Sequence, residues 1–172
     1  MNAVDAIRTA LNFSDDNLAA LEDMADAPLT RPSADGGNHP MWIAGHLAFT
    51  EGRLHQILNG GENPLADWRP LFDWGSAPTD DAADYPPYAE VLDAFRDLRA
   101  KTYALLDGLD DTALDGPTKN PPPGMNGPFG TVGPVLLLVA GHQAMHCGQA
   151  TVARRAAGKA PMFTPSPELR RF

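Results

Sequence analysis

Proline decides where this chain can form long helices. Its 17 prolines leave four uninterrupted windows, residues 1–27, 41–63, 88–116 and 135–160. Inside a helix, proline removes a backbone hydrogen bond and clashes with the preceding turn, which confines long helices to such windows. Each window has room for about five turns or more, roughly 30 Å of helix.

Apolar spacing agrees with the windows. Val4, Ile7, Leu11, Leu18, Leu21 and Met24 recur at helical intervals in the first, and Ser14-Asp15-Asp16-Asn17 is placed to kink or break it. The second carries Ile43, Leu47, Leu54 and Ile57 on one stripe, with Pro40 suited to the opening turn and Gly60-Gly61 to the stop. Val91, Phe95, Leu98, Thr102, Leu105 and Leu109 form the third stripe. In the fourth, Val135, Leu138, Val139, His142, Met145, His146, Gln149 and Val152 share a face, and Arg154 and Arg155 complement the dipole of the last turn.

No window alternates with period two, so no sheet is expected. The fold class is all-α: a four-helix bundle with long crossover loops, in a single domain over 1–172 with core helices near 1–27, 40–59, 88–109 and 132–157. Connections 59–87 and 117–134 are long, and their aromatic residues Trp68, Phe72, Trp74 and Phe129 are placed to cap one end. The tryptophans are expected to pack as a lid.

Charge narrows the partners. Thirteen Lys+Arg against 22 Asp+Glu give a net charge of −9, which disfavours nucleic acid and anionic membranes. A single cysteine, Cys147, precludes an internal disulfide framework and fits a reducing compartment. Beside His146 it points about 100° away round the helix and is expected to be a buried, inert thiol. The N-terminus lacks the basic start and apolar run of a secretory signal, and the apolar stretch near 132–141 is short of the roughly 20 residues a bilayer requires. The expected location is the cytoplasm.

Three of the five histidines fall on stripes that face the core. His142 and His146, four residues apart, stack on one face of the fourth helix. His46, one residue before Leu47, faces inward from the second. A buried imidazole needs partners for both ring nitrogens, and a divalent metal answers for all three at once. Three protein ligands leave a coordination position open, as in catalytic zinc sites. Core histidines satisfied by backbone or hydroxyl groups are the alternative. His39, before Pro40, reads as a helix cap. His55, about 180° from His46, reads as one half of a solvated pair with Glu51. Gln143 stands where a zincin peptidase needs its glutamate base, which counts against that chemistry.

Asn38-His39-Pro40-Met41-Trp42-Ile43-Ala44-Gly45-His46-Leu47-Ala48, with Glu51-Gly52-Arg53, resembles the second helix of the DinB/YfiT-like metalloprotein superfamily. Ala140-Gly141-His142-Gln143-Ala144-Met145-His146-Cys147-Gly148-Gln149 resembles that superfamily's last helix. The resemblance implies a bundle with a crossover connection, often a homodimer, in which His46, His142 and His146 bind a divalent ion, Zn or Ni by donor chemistry. It also implies thiol-dependent activity, as an S-transferase or a maleylpyruvate isomerase using bacillithiol or mycothiol. Mycothiol-dependent isomerases often carry a further C-terminal domain, whereas this chain ends soon after its fourth helix, which weakens the isomerase reading.

The expected function is therefore a metal-dependent thiol S-transferase acting on a small-molecule substrate with a low-molecular-weight thiol. A non-catalytic metal-binding stress-response bundle and a metal-dependent hydrolase are the alternatives. Two catalytic candidates stand near the histidines. Arg53, on the stripe of His46, could anchor a substrate carboxylate or snorkel to solvent. Gln149, one turn beyond His146, could orient bound water or bond a neighbouring helix. No inner-stripe Asp or Glu suggests a base, since Glu51 lies about 140° from His46.

Overall fold

In the computed structural model, which describes residues 1–32, 34 and 37–162, the first window holds two helices. α1 (Ala3–Ser14) and α2 (Asp16–Glu22) are separated at Asp15, where the run of short polar side chains competes with the helical backbone. α3 (Pro40–Asn59) follows, then α4 (Arg69–Phe72), α5 (Tyr88–Asp107), α6 (Asp111–Leu114), α7 (Asn126–Phe129) and α8 (Val132–Ala156). There is no strand among the described residues, only an isolated bridge between Pro117 and Thr131. No described helix is long and apolar enough to cross a membrane. The last ten residues of the expected domain, 163–172, lie outside the described part.

Local chemistry sets the ends of α3. Pro40 occupies its first turn, and the Nδ1 of His39 accepts the Trp42 amide at 3.1 Å, so His39 is the cap its position implied. Gly60, at φ 77°, stops the helix in a conformation a side chain would oppose.

Two apolar clusters show how the helices run. One gathers Leu21, Met41–Phe49, Tyr88–Phe95 and Ala150; the other gathers Val4–Leu11, Leu54–Leu58, Leu106 and Val135–Ala140. α3 and α5 therefore descend from the first cluster to the second, while α1–α2 and α8 ascend. Because α3 and α5 are parallel, the connection 60–87 must return along the bundle, and it is the crossover. Its Phe72 is fully buried in the first cluster, with Trp68 packed beside it. These rings pack against the first cluster, with Phe72 next to Gly45. Trp74 stays 88% exposed.

Polar groups from every long element meet between the clusters. Glu51 of α3, Arg99 and Thr102 of α5, Gln143 of α8 and Ser14 of α1 are all buried. The Glu51 carboxylate accepts from Thr102 Oγ1 at 2.5 Å and from Gln143 Nε2 at 2.7 Å, and lies 3.5 Å from the Arg99 guanidinium. Arg99 also donates to the Gln143 carbonyl and to Ser14, and pairs with Asp15 at 3.2 Å. Gln143 thus turns its oxygen to the cation and its amide to the carboxylate.

This belt corrects the expected solvated pair of Glu51 and His55. Glu51 has no exposed surface, and the Nε2 of His55 instead meets Thr102 Oγ1 at 3.1 Å and the Leu98 carbonyl at 3.2 Å. Two further adjustments concern faces. Leu138, Met145 and Val152 are exposed, because α8 packs through Leu136, Ala140, Gln143, Ala150 and Ala153, whose small members admit close neighbours. Helix α5 ends at Asp107, so Leu109 lies beyond it and Leu106 takes the buried place.

Candidate metal centre

His46 of α3 meets His142 and His146 of α8 across the groove between those helices. The Nε2 of His142 is 3.1 Å from the Nε2 of His46 and 3.1 Å from that of His146. One ligand atom from each ring lies within 4.8 Å of the others, and among the described residues this is a cluster that could hold a metal ion. A tetrahedral ion with bonds of about 2.0–2.1 Å requires ligands ~3.3 Å apart, close to the spacing seen.

Each outer ring is oriented from behind. His46 Nδ1 lies 2.7 Å from the Phe72 carbonyl, an acceptor only, so this nitrogen carries the proton. His146 Nδ1 lies 2.9 Å from Gln149 Oε1, which Asn38 also engages at 3.1 Å. Both rings therefore turn an Nε2 lone pair toward His142, whose own Nε2 offers one proton at most. Such a set of donors calls for a cation. The polar partners that hold each ring in its tautomer are the arrangement metal-binding histidines require. Trp42 stacks on His46, with ring centroids 4.5 Å apart and planes 11° from parallel.

Burial keeps the rings neutral. Desolvation lowers the pKa of His46 and pushes His142 and His146 down to about 4, with charge repulsion from neighbouring imidazoles adding to it. In the unfolded chain the rings titrate near 6.5. Between those values the unfolded state binds more protons than the folded one, so stability present above pH 6.5 is lost as pH falls toward 4. Urea unfolding of chelator-treated protein should show this decline. A flat profile across the window would mean that the rings are not desolvated.

The histidines form one end of an open cleft of about 400 Å³. Arg53 lines it and pairs with Asp73 at 2.8 Å, so it is neither free nor merely snorkelling. Gln149 also lines it, with its carbonyl engaged by His146 and Asn38. Thr50, one turn beyond His46, donates to the His46 carbonyl at 2.8 Å. Cys147 is half-buried rather than buried, and burial raises its pKa, with nearby Asp16 adding to the rise.

Sequence reasoning missed two parts of the site's support. The Phe72 carbonyl is backbone and leaves no trace in residue type. Gln143, read only as a missing base, holds α8 to Glu51 of α3 between the two histidines of the pair. Its signal was available: it lies on the buried row of Leu136, Ala140 and Ala150.

No curated protein matches the sequence. The family model described as the DinB superfamily matches residues 13–150, a span that takes in all three histidines and the crossover.

Proposed function

Because the chain belongs to the DinB superfamily, we propose that it is a metal-dependent enzyme transferring the sulfur of a low-molecular-weight thiol to a small electrophile. The observation that carries this reading is the convergence of three imidazole Nε2 atoms at the end of an open cleft. Three ligands from the protein leave a side on which a small molecule can approach.

His46, His142 and His146 would hold the ion, Zn or Ni by their donor chemistry. A divalent ion at this position supplies a lowered thiol pKa, and hence a nucleophilic sulfur at neutral pH. The chain's own residues do the positioning. Phe72 and Gln149 keep the Nδ1 protons of His46 and His146 in place, so both Nε2 lone pairs stay turned toward His142, where they would hold an ion. Trp42 covers one face of the His46 ring and excludes water from it. Arg53, held by Asp73, presents its remaining N–H groups to an acceptor on the electrophile. In the reaction the thiol gives up its proton to water in the open cleft, sulfur bonds to the electrophilic carbon, and the leaving group departs with the electron pair of the bond that breaks. No carboxylate base is required, which accords with Asp73 being committed to Arg53.

The test uses tag-free protein loaded with cobalt(II) and titrated with bacillithiol, mycothiol, coenzyme A and cysteine. The expected result is a sulfur-to-cobalt charge-transfer band with at least one thiol, together with metal-dependent alkylation of that thiol by an aryl halide. Absence of the band with every thiol would reject the reading. Hydrolysis of activated esters without added thiol would favour the hydrolase in its place.

A further inference from the structure

The cleft is chemically graded along its length. Since α3 and α8 run in opposite directions, the groove leads from the histidines toward Ile57 on one wall and Val135 on the other. The eleven residues from His46 to Ile57 span about 16 Å. Polar lining is concentrated at the near end, where Asn38, Thr50 and Gln149 accompany the histidines. Arg53 and Asp73 stand midway and are the charged lining residues; at 2.8 Å they neutralise each other.

Leu138 and Val139 stand about level with that pair across the groove, and beyond it the lining includes Leu54, Ile57, Val135 and Phe129. Leu138, at the entrance to this stretch, is 42% exposed, so a large apolar side chain faces the open cleft there. A charge carried past the ion pair would exchange part of its hydration for apolar walls and meet no further charged side chain among the lining residues. The chain's net charge of −9 adds repulsion for an anion.

We propose that this far channel binds the uncharged, apolar body of the substrate, an alkyl or aryl group no longer than about 16 Å, while the reacting end lies against the histidines. The proposal deepens the reading of the histidine cluster as a reaction centre and rests on it. It assigns specificity to Leu138 and its neighbours, and it excludes substrates charged at both ends.

The experiment is competition against the neutral fluorescent probe N-phenyl-1-naphthylamine, using the protein as purified. Straight-chain alcohols from butanol to decanol are compared, then decanoate with decanedioate. Affinity should rise about two- to fourfold for each added methylene. Decanedioate, which must leave a carboxylate in the channel whichever way it enters, should bind at least tenfold more weakly than decanoate. Leu138→Asp changes an exposed position, so the fold is retained, and it should flatten the chain-length dependence. Affinities independent of chain length, equal binding of the two acids, or an unaltered slope in Leu138→Asp would each overturn the proposal. The cobalt–thiol band, recorded on the same preparation, separates the two ideas. A chain-length dependence without the band upholds the channel and rejects the thiol; the band without a chain-length dependence does the reverse.

Discussion

Replacing Glu51 with alanine should cost about 3–5 kcal/mol of folding stability, the range for removing one partner of a buried ion pair. Glu51 is completely buried and faces a guanidinium that is itself buried. Without the carboxylate, Thr102 Oγ1 and Gln143 Nε2 lose their acceptor, and Arg99 retains Asp15 as its remaining carboxylate partner. Asp15 is partly exposed, so it offsets only a part of the lost attraction. Glu51→Gln keeps the volume and an acceptor and should lose less than alanine does. Urea unfolding of both variants would check this. A change below about 1 kcal/mol in Glu51→Ala would mean that water replaces the carboxylate, and that the belt is not a closed polar layer.

His142→Ala should abolish stoichiometric metal binding while leaving the helices formed. The Nε2 of His142 is the atom both other ligands approach, at 3.1 Å each, so its loss leaves two imidazoles on different helices with nothing between them. Gln149→Leu should act more gently, weakening metal affinity about 10- to 100-fold, as is usual when the group orienting a ligand is removed. Metal content of tag-free protein, chelator competition and far-ultraviolet circular dichroism together measure both effects. Unchanged metal in His142→Ala would move the ion elsewhere in the molecule.

How far these features could be read from residues alone depended on the helix concerned. Proline and glycine punctuation placed the long helices, and the Ser14–Asn17 run located the break. The histidines were legible because His142 and His146 are one turn apart, so any helix through them brings them together. α8 was harder. It is apolar on several sides, so periodicity could not say which face packs, and of the residues assigned to the core face Leu138 and Met145 line the open cleft while Val152 is exposed. The belt was obscured for another reason. Glu51 and Arg99 sit on buried rows that are mostly apolar, Leu47–Leu54–Leu58 and Phe95–Thr102–Leu106, but a charged residue reads as solvated until its partners on other helices are known. Which helices meet depends on the crossover, and its path was not written in any local pattern.

The two supports behind the metal-binding rings differ in how they can be lost. Gln149 serves His146 with a side chain, which a single substitution removes. The support of His46 is a peptide carbonyl at Phe72, present whatever residue occupies that position. It disappears only if the backbone takes another route, and the route is locked where the Phe72 ring fills the space a Cβ at Gly45 would need, 2.1 Å from the nearest ring carbon. Half of the site is therefore exposed to point mutation. The other half is insured by chain path, so no substitution at Phe72 itself removes the carbonyl, and it is vulnerable to insertions, deletions or a substitution at Gly45.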